Sequence, residues 1–168
     1  MSGTQMAVAI ASVLAVCAVP AAAQQDHVRG LVEAGGGYAS FVDDSPIRHG
    51  VAQGSGRVYV SSRVAVGPEF AYMRGPRAER KWFLTGNATI DLVPRTRPAT
   101  VRPYVIAGGG ITHMMTRVGT GPYSSDEGTF TAGAGARLAA SRRWYVAPEF
   151  RLGWELHWRA DVAVGRTF

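Results

Sequence analysis

The sequence predicts an all-β protein: an eight-stranded antiparallel up-and-down transmembrane β-barrel. Three observations carry this expectation. Apolar and polar residues alternate with a period of two in segments of roughly ten residues broken by turn residues, as transmembrane barrel strands require. No window reads as an amphipathic helix or is apolar enough to span a membrane as one. The alternating segments number eight, an even count, as a closed antiparallel bacterial barrel needs.

Residues 1–23 stand apart from this pattern. An apolar run from Met6 to Val19 is followed by Pro20 and Ala21-Ala22-Ala23, an h-region with a small-residue cleavage site. The run is shorter than the ~20 residues of a spanning helix. We therefore expect a signal peptide over 1–23, cut before Gln24, and a barrel domain over 24–168. The n-region carries no Lys or Arg, a departure from the usual leader. Cys17, the only cysteine, lies in the leader, where it reads better as an apolar h-region residue than as a lipidation site. The mature chain is then free of disulfides, although its compartment permits them.

Strands are expected over 30–41, 51–60, 63–73, 81–93, 101–116, 128–139, 143–155 and 158–168. The seventh is the clearest. Trp144, Val146, Pro148, Phe150, Leu152 and Trp154 alternate with Tyr145, Ala147, Glu149, Arg151 and Gly153. In the eighth, Trp158, Ala160, Val162, Val164 and Phe168 share one face, and Arg159, Asp161, Ala163, Gly165 and Thr167 the other. In the fourth, Trp82, Leu84, Gly86, Ala88, Ile90 and Leu92 alternate with Phe83, Thr85, Asn87, Thr89 and Asp91. The connections at 61–62, 94–100 and 140–142 fall at the end bearing both termini, the periplasmic one. Those at 42–50, 74–80, 117–127 and 156–157 fall outside. There is also an internal repeat. Residues 57–70 align without gaps to 137–150, both ending Pro-Glu-Phe, and Glu33-Ala-Gly-Gly-Gly-Tyr38 echoes Ile106-Ala-Gly-Gly-Gly-Ile111.

Alternation alone suits a lipocalin-like barrel with its oily face inside as well as a membrane barrel with that face outside. Two features favour the second. The polar face is small and sparsely charged: glycines at 35, 37, 67, 133, 135 and 165 sit beside Glu33, Arg57, Glu69, Arg137, Glu149, Arg151 and Asp161. That mix suits a narrow lumen, where each charge needs a partner. Aromatics also gather near strand ends, Tyr38, Tyr72, Trp82, Trp154 and Trp158 at one rim and Trp144 and Phe168 at the other, as interfacial girdles do. A register setting Trp154 against Trp158 and Trp144 against Phe168 would pair Arg151 with Asp161 in the lumen.

The leader, the eight alternating segments, Arg102-Pro-Tyr-Val-Ile-Ala-Gly-Gly-Gly110, the Pro-Glu-Phe repeats and Phe168 together resemble the OmpA/OmpX-type outer-membrane β-barrel superfamily. The resemblance covers essentially the whole mature chain. It implies an outer-membrane location and reading of Phe168 by the barrel-assembly machinery during insertion. Because the sequence stops at Phe168, no periplasmic peptidoglycan-binding domain of the kind some relatives append is expected.

The formal charge of +6, from 17 Arg and the single Lys81 against 12 acids, would suit nucleic acid, but export argues against that partner. Outer-membrane lipids are the expected partners, lipopolysaccharide among them. A basic outer rim of Arg48, Arg74, Arg77, Arg80, Lys81, Arg117 and Arg159 would meet it, while Arg63, Arg95, Arg97, Arg142 and Arg143 would meet inner-leaflet headgroups. The lumen charges read first as a mutually neutralising filling and second as an ion path. His27, His49, His113 and His157 are scattered, none in a His-x-Ser arrangement, and Ser124–Glu127 reads as a polar loop tip. No catalytic residue, metal site or cofactor is expected. The expected role is that of a monomeric, non-enzymatic barrel with a structural, surface-interaction or envelope-integrity function. The alternatives are a narrow pore, an outer-leaflet lipid-modifying enzyme and a soluble periplasmic ligand-binding barrel.

Overall fold

The computed structural model describes residues 30–42, 47–76, 79–118, 121–154 and 157–168, so the expected signal peptide lies outside the described residues. Eight strands form one closed antiparallel barrel in chain order: β1 (Gly30–Phe41), β2 (Ile47–Tyr59), β3 (Val64–Arg74), β4 (Arg80–Asp91), β5 (Val101–Val118), β6 (Gly121–Ala139), β7 (Trp144–Gly153) and β8 (His157–Thr167). Closure comes from β1 pairing with β8, from Leu31 opposite Thr167 to Phe41 opposite His157. The β2–β3, β4–β5 and β6–β7 connections lie at the end carrying Gly30 and Phe168, and the β5–β6 hairpin projects furthest from the opposite end, which is therefore taken as the exterior.

Alternation sorts the side chains as expected. Along β4 and β8, buried and exposed residues follow one another strictly. The exposed set is apolar, including Leu84, Ile90, Phe150, Leu152, Val162 and Val164, while Glu33, Arg57, Glu69, Asp91 and Arg151 are buried. This is the reverse of a lipocalin. Burying these charges while exposing an oily wall makes sense only where the wall meets hydrocarbon, so the soluble-barrel alternative is discarded.

The internal repeat is visible in the backbone. In the β2–β3 turn, Ser61 Oγ accepts hydrogen bonds from the Val64 and Arg63 amides at 3.0 and 3.3 Å. In the β6–β7 turn, Ser141 Oγ accepts from the Trp144 and Arg143 amides at 3.2 and 3.4 Å. A serine so placed closes a short turn by replacing a backbone acceptor. Pro68 and Pro148, at equivalent sites, bring no N–H. The β2–β3 ladder skips from Ser55–Glu69 to Val58–Val66, and the β6–β7 ladder from Gly135–Glu149 to Leu138–Val146.

Three expectations are corrected. β2 begins at Ile47 rather than 51. The outer connection expected over 117–127 is mostly strand, because β5 and β6 pair out to Val118 opposite Gly121. Beyond the bilayer both faces of a hairpin meet water, so the two-faced pattern fades while the backbone pairing continues. Gly121–Phe130 thereby runs past β7, which first meets β6 at Gly153 opposite Thr131. The third correction concerns β7–β8. Leu152, not Trp154, opposes Trp158, and Trp144 opposes Arg166 rather than Phe168. The Trp154 amide bonds instead to the Phe130 carbonyl at 2.8 Å, and its own carbonyl accepts from His157 Nδ1 at 2.8 Å, which draws Trp154 into the turn.

The charged lumen as candidate functional site

The lumen is filled in three layers. Towards the periplasm Leu31, Tyr59 and Ala65 pack together, with the Arg95 guanidinium 4.0 Å above the Tyr59 ring. Towards the exterior Ala39, Phe41, Val51, Ala71, Met73 and Phe83 form an apolar cluster. Lys81 Nζ sits 3.8 Å over the Phe41 ring, and His49 and His157 flank the same ring at 5.1 and 4.9 Å. Glu79 lies 3.5 Å from His49 and 3.9 Å from Lys81 at this mouth.

Between them lies the ionic layer, where Glu33, Arg57, Glu69, Arg137, Glu149, Arg151 and Asp161 are buried. Arg57 binds Glu33 directly and Glu69 at 3.2 Å. Its counterpart in the repeat, Arg137, reaches Glu33 at 3.4 Å and Asp91 at 2.5 Å. The paired acids of the repeat, Glu69 and Glu149, hold the other two guanidiniums. Arg151 lies 2.6 Å from Glu69 and 2.5 Å from Glu149, and Arg159 lies 2.7 Å from Glu69. Three tyrosines donate to carboxylates of this layer. Tyr104 donates to Glu149 at 2.7 Å, Tyr145 to Glu33 at 2.8 Å and Tyr59 to Asp91 at 2.9 Å. Tyr104 and Tyr145 stand opposite Gly135 and Gly165, and their rings occupy the space a Cβ there would need. These two glycines thus make room for aromatic donors.

The expected Arg151–Asp161 pair is not formed. The two-residue shift in register sets Glu149 opposite Asp161 and Arg151 opposite Arg159, and Asp161 pairs with Arg159 at 2.5 Å. Arg159 and Lys81, expected on the outer rim, are buried inside. Arg48, Arg74 and Arg80 are exposed as expected, whereas Arg77 and the Arg117 side chain lie outside what is described. Sequence reasoning left Asp91 and Arg159 out of the network, along with the three phenols. Strand parity held the signal for all of them, since Asp91 shares a face with Thr85 and Asn87, and Arg159 with Asp161.

Of the aromatics expected at the rims, Tyr38, Trp144, Trp154 and Phe168 are well exposed, and Trp158 less so. Tyr72 and Trp82 are half-buried on the outward wall. Trp82 stacks on Phe70 at 6.4 Å and on His113 at 5.3 Å, and Phe150 stacks on Trp158 at 6.4 Å. His113 Nδ1 also lies 2.5 Å from Asp126 Oδ1. An acid and a histidine are two of a hydrolytic triad's three members, but among the described residues no hydroxyl is seen to hydrogen-bond to His113 as the third.

A closed eight-stranded barrel with an oily exterior and a neutralised ionic interior defines a small integral barrel of the outer-membrane kind. Residues 9–162 match the family described as outer membrane protein beta-barrel domain, and the chain belongs to that family. It is an integral protein of the outer membrane. Among solved structures, the N-terminal β-barrel domain of Pseudomonas aeruginosa OprF matches over 86% of this chain and 100% of its own, with 15% identity and a TM-score of 0.69. Neisserial surface protein A matches over 84% of this chain and 96% of its own, at 10% identity and TM-score 0.65. Ail of Yersinia pestis matches over 85% of this chain and 100% of its own, at 12% identity and TM-score 0.59. Ail has also been solved in complex with the heparin analogue sucrose octasulfate, matching with TM-score 0.55. No curated protein sequence matches the chain.

Proposed function

We propose that the protein is a non-conducting, non-enzymatic barrel that serves the envelope through its outer surface and its stability in the membrane. The observation that carries this reading is the filling of the lumen. The cavity in the ionic layer, between Glu33, Arg57, Glu69, Tyr104, Glu149 and Arg151, has a volume of about 10 Å³. That is at the lower limit for a single water, and apolar clusters lie towards both ends of it. An ion crossing this path would have to shed its water and break paired charges, which the narrow-pore alternative gives no means to do.

On this reading the ionic layer is a structural filling, the aromatic rims anchor the barrel at its two interfaces, and Phe168 serves the barrel-assembly machinery. The basic outer rim meets anionic outer-leaflet glycolipid, lipopolysaccharide in particular. A similar barrel, Ail, has a solved complex with a polyanion, which supports an anionic partner. The test is conductance of the purified, folded protein in planar bilayers. Baseline current without discrete steps is expected, and reproducible unitary steps would replace this reading with the narrow pore.

A further inference from the structure

Charge on the outward wall at the outer end is confined to sectors. Arg48 on β2, Arg74 on β3 and Arg80 on β4 are exposed there. Elsewhere the outward wall presents Tyr38 on β1, Trp158 on β8, Leu152 on β7 and Phe130 on β6, and the acidic Asp126 on β6 opposes His113 in the row of Tyr72 and Trp82. Arg74 and Arg80 are direct partners in the β3–β4 ladder, and Gly50, two residues from Arg48, opposes Arg74. Like charges directly opposite on a sheet face are unfavourable unless an anion lies between them. Among the described residues neither Arg74 nor Arg80 makes an ion pair.

One step towards the membrane β3, β4 and β5 present Tyr72, Trp82 and His113, and one step further Phe70, Leu84 and Ile111. The Phe70–Trp82 stack forms an apolar shelf beneath the paired cations, and His113, bonded to Asp126, bounds it on the β5 side. Towards β2 the wall falls away to Ala52 and Gly54, opposite Tyr72 and Phe70, so the aromatic side chains stand above that flank. Guanidiniums clamp phosphate oxygens through paired N–H donors, and an aromatic shelf at headgroup depth suits the first carbons of an acyl chain.

We propose that the β2–β4 sector is a docking site for a phosphorylated outer-leaflet glycolipid. Its phosphate lies between Arg74 and Arg80 with Arg48 as an outer contact, and an acyl chain lies against Phe70 and Trp82. This rests on the reading that the basic rim meets anionic glycolipid, and deepens it by assigning one sector and one pair of residues.

The test uses the purified full-length barrel in detergent, titrated with bisphosphorylated lipopolysaccharide or with phosphatidylglycerol. The readout is the temperature at which the compact unboiled band on SDS gels is lost. Wild type should be stabilised by lipopolysaccharide more than by phosphatidylglycerol. R74Q/R80Q should fold to the same compact band yet bind about tenfold or more weakly, two charge-assisted contacts being lost. The periplasmic-rim control R63Q/R143Q should be stabilised by lipopolysaccharide as wild type is. Equal stabilisation of R74Q/R80Q and wild type by lipopolysaccharide overturns the sector assignment while leaving the rim reading intact. Absence of stabilisation in wild type overturns both. Equal stabilisation of wild type by phosphatidylglycerol overturns the commitment to a glycolipid. Should R74Q/R80Q fail to fold, R74K/R80K supplies the comparison. It keeps the charge but loses the paired donors, so it should bind more weakly than wild type, and unchanged binding overturns the clamp.

Discussion

At the scale of single residues, Glu69 holds the lumen together. It contacts Arg57, Arg151 and Arg159 and accepts from Asn87 at 3.2 Å. Removing one partner of a buried ionic cluster leaves uncompensated charge, at a cost of about 3–5 kcal/mol. Glu69→Ala should therefore lower unfolding stability by about that amount in urea titrations of the detergent-folded protein. A change under about 1 kcal/mol, the size expected of an exposed pair, would show that the network fills space without holding the fold. Most of this layer was legible, because parity alone sends Glu33, Arg57, Glu69, Arg137, Glu149, Arg151 and Asp161 inward. Which charge meets which was not, since the partners lie as far apart as Arg137 and Glu33, 104 residues along the chain. Lys81 and Arg159 were misassigned for a related reason. Both sit near the outer ends of their strands, where long cationic side chains usually reach for water, but here rings and carboxylates inside the barrel receive them.

At the scale of strands, the eight elements were readable wherever one face meets lipid and the other meets side chains. The β5–β6 extension was not readable, because a hairpin standing in water has no preferred face. The β7–β8 register slipped by two rather than one, which preserved every face assignment while exchanging the partners. Periodicity cannot detect an even slip. The lipid face itself is open to test. Val162, 54% exposed at the middle of β8, should sit at mid-membrane. Val162→Arg is expected to cost about 2–4 kcal/mol in refolding into lipid vesicles. Arg166 shows how the same strand tolerates a cation near its end, where the guanidinium lies 5.7 Å from the Trp144 ring. If Val162→Arg refolds as readily as wild type, the oily wall is not facing hydrocarbon.

At the scale of the whole molecule, closure and strand order followed from an even strand count and short connections. The layered filling of the lumen did not, because it emerges only once eight strands converge. The four tryptophans offer a view of the assembled barrel that neither stability nor conductance provides. Trp82, Trp144 and Trp158 lie on the outer wall and Trp154 in the β7–β8 turn, exposed, none in the lumen. Intrinsic fluorescence therefore reports the surrounding lipid and is insensitive to the ionic interior. Brominated acyl chains should quench it on insertion, most strongly with bromine near the headgroups, and Glu69 substitutions that remain folded should leave the spectrum unchanged. Emission untouched by brominated lipid would mean that the indoles had been drawn inside. The barrel thus carries its own optical gauge of depth, written in residues that take no part in holding it closed.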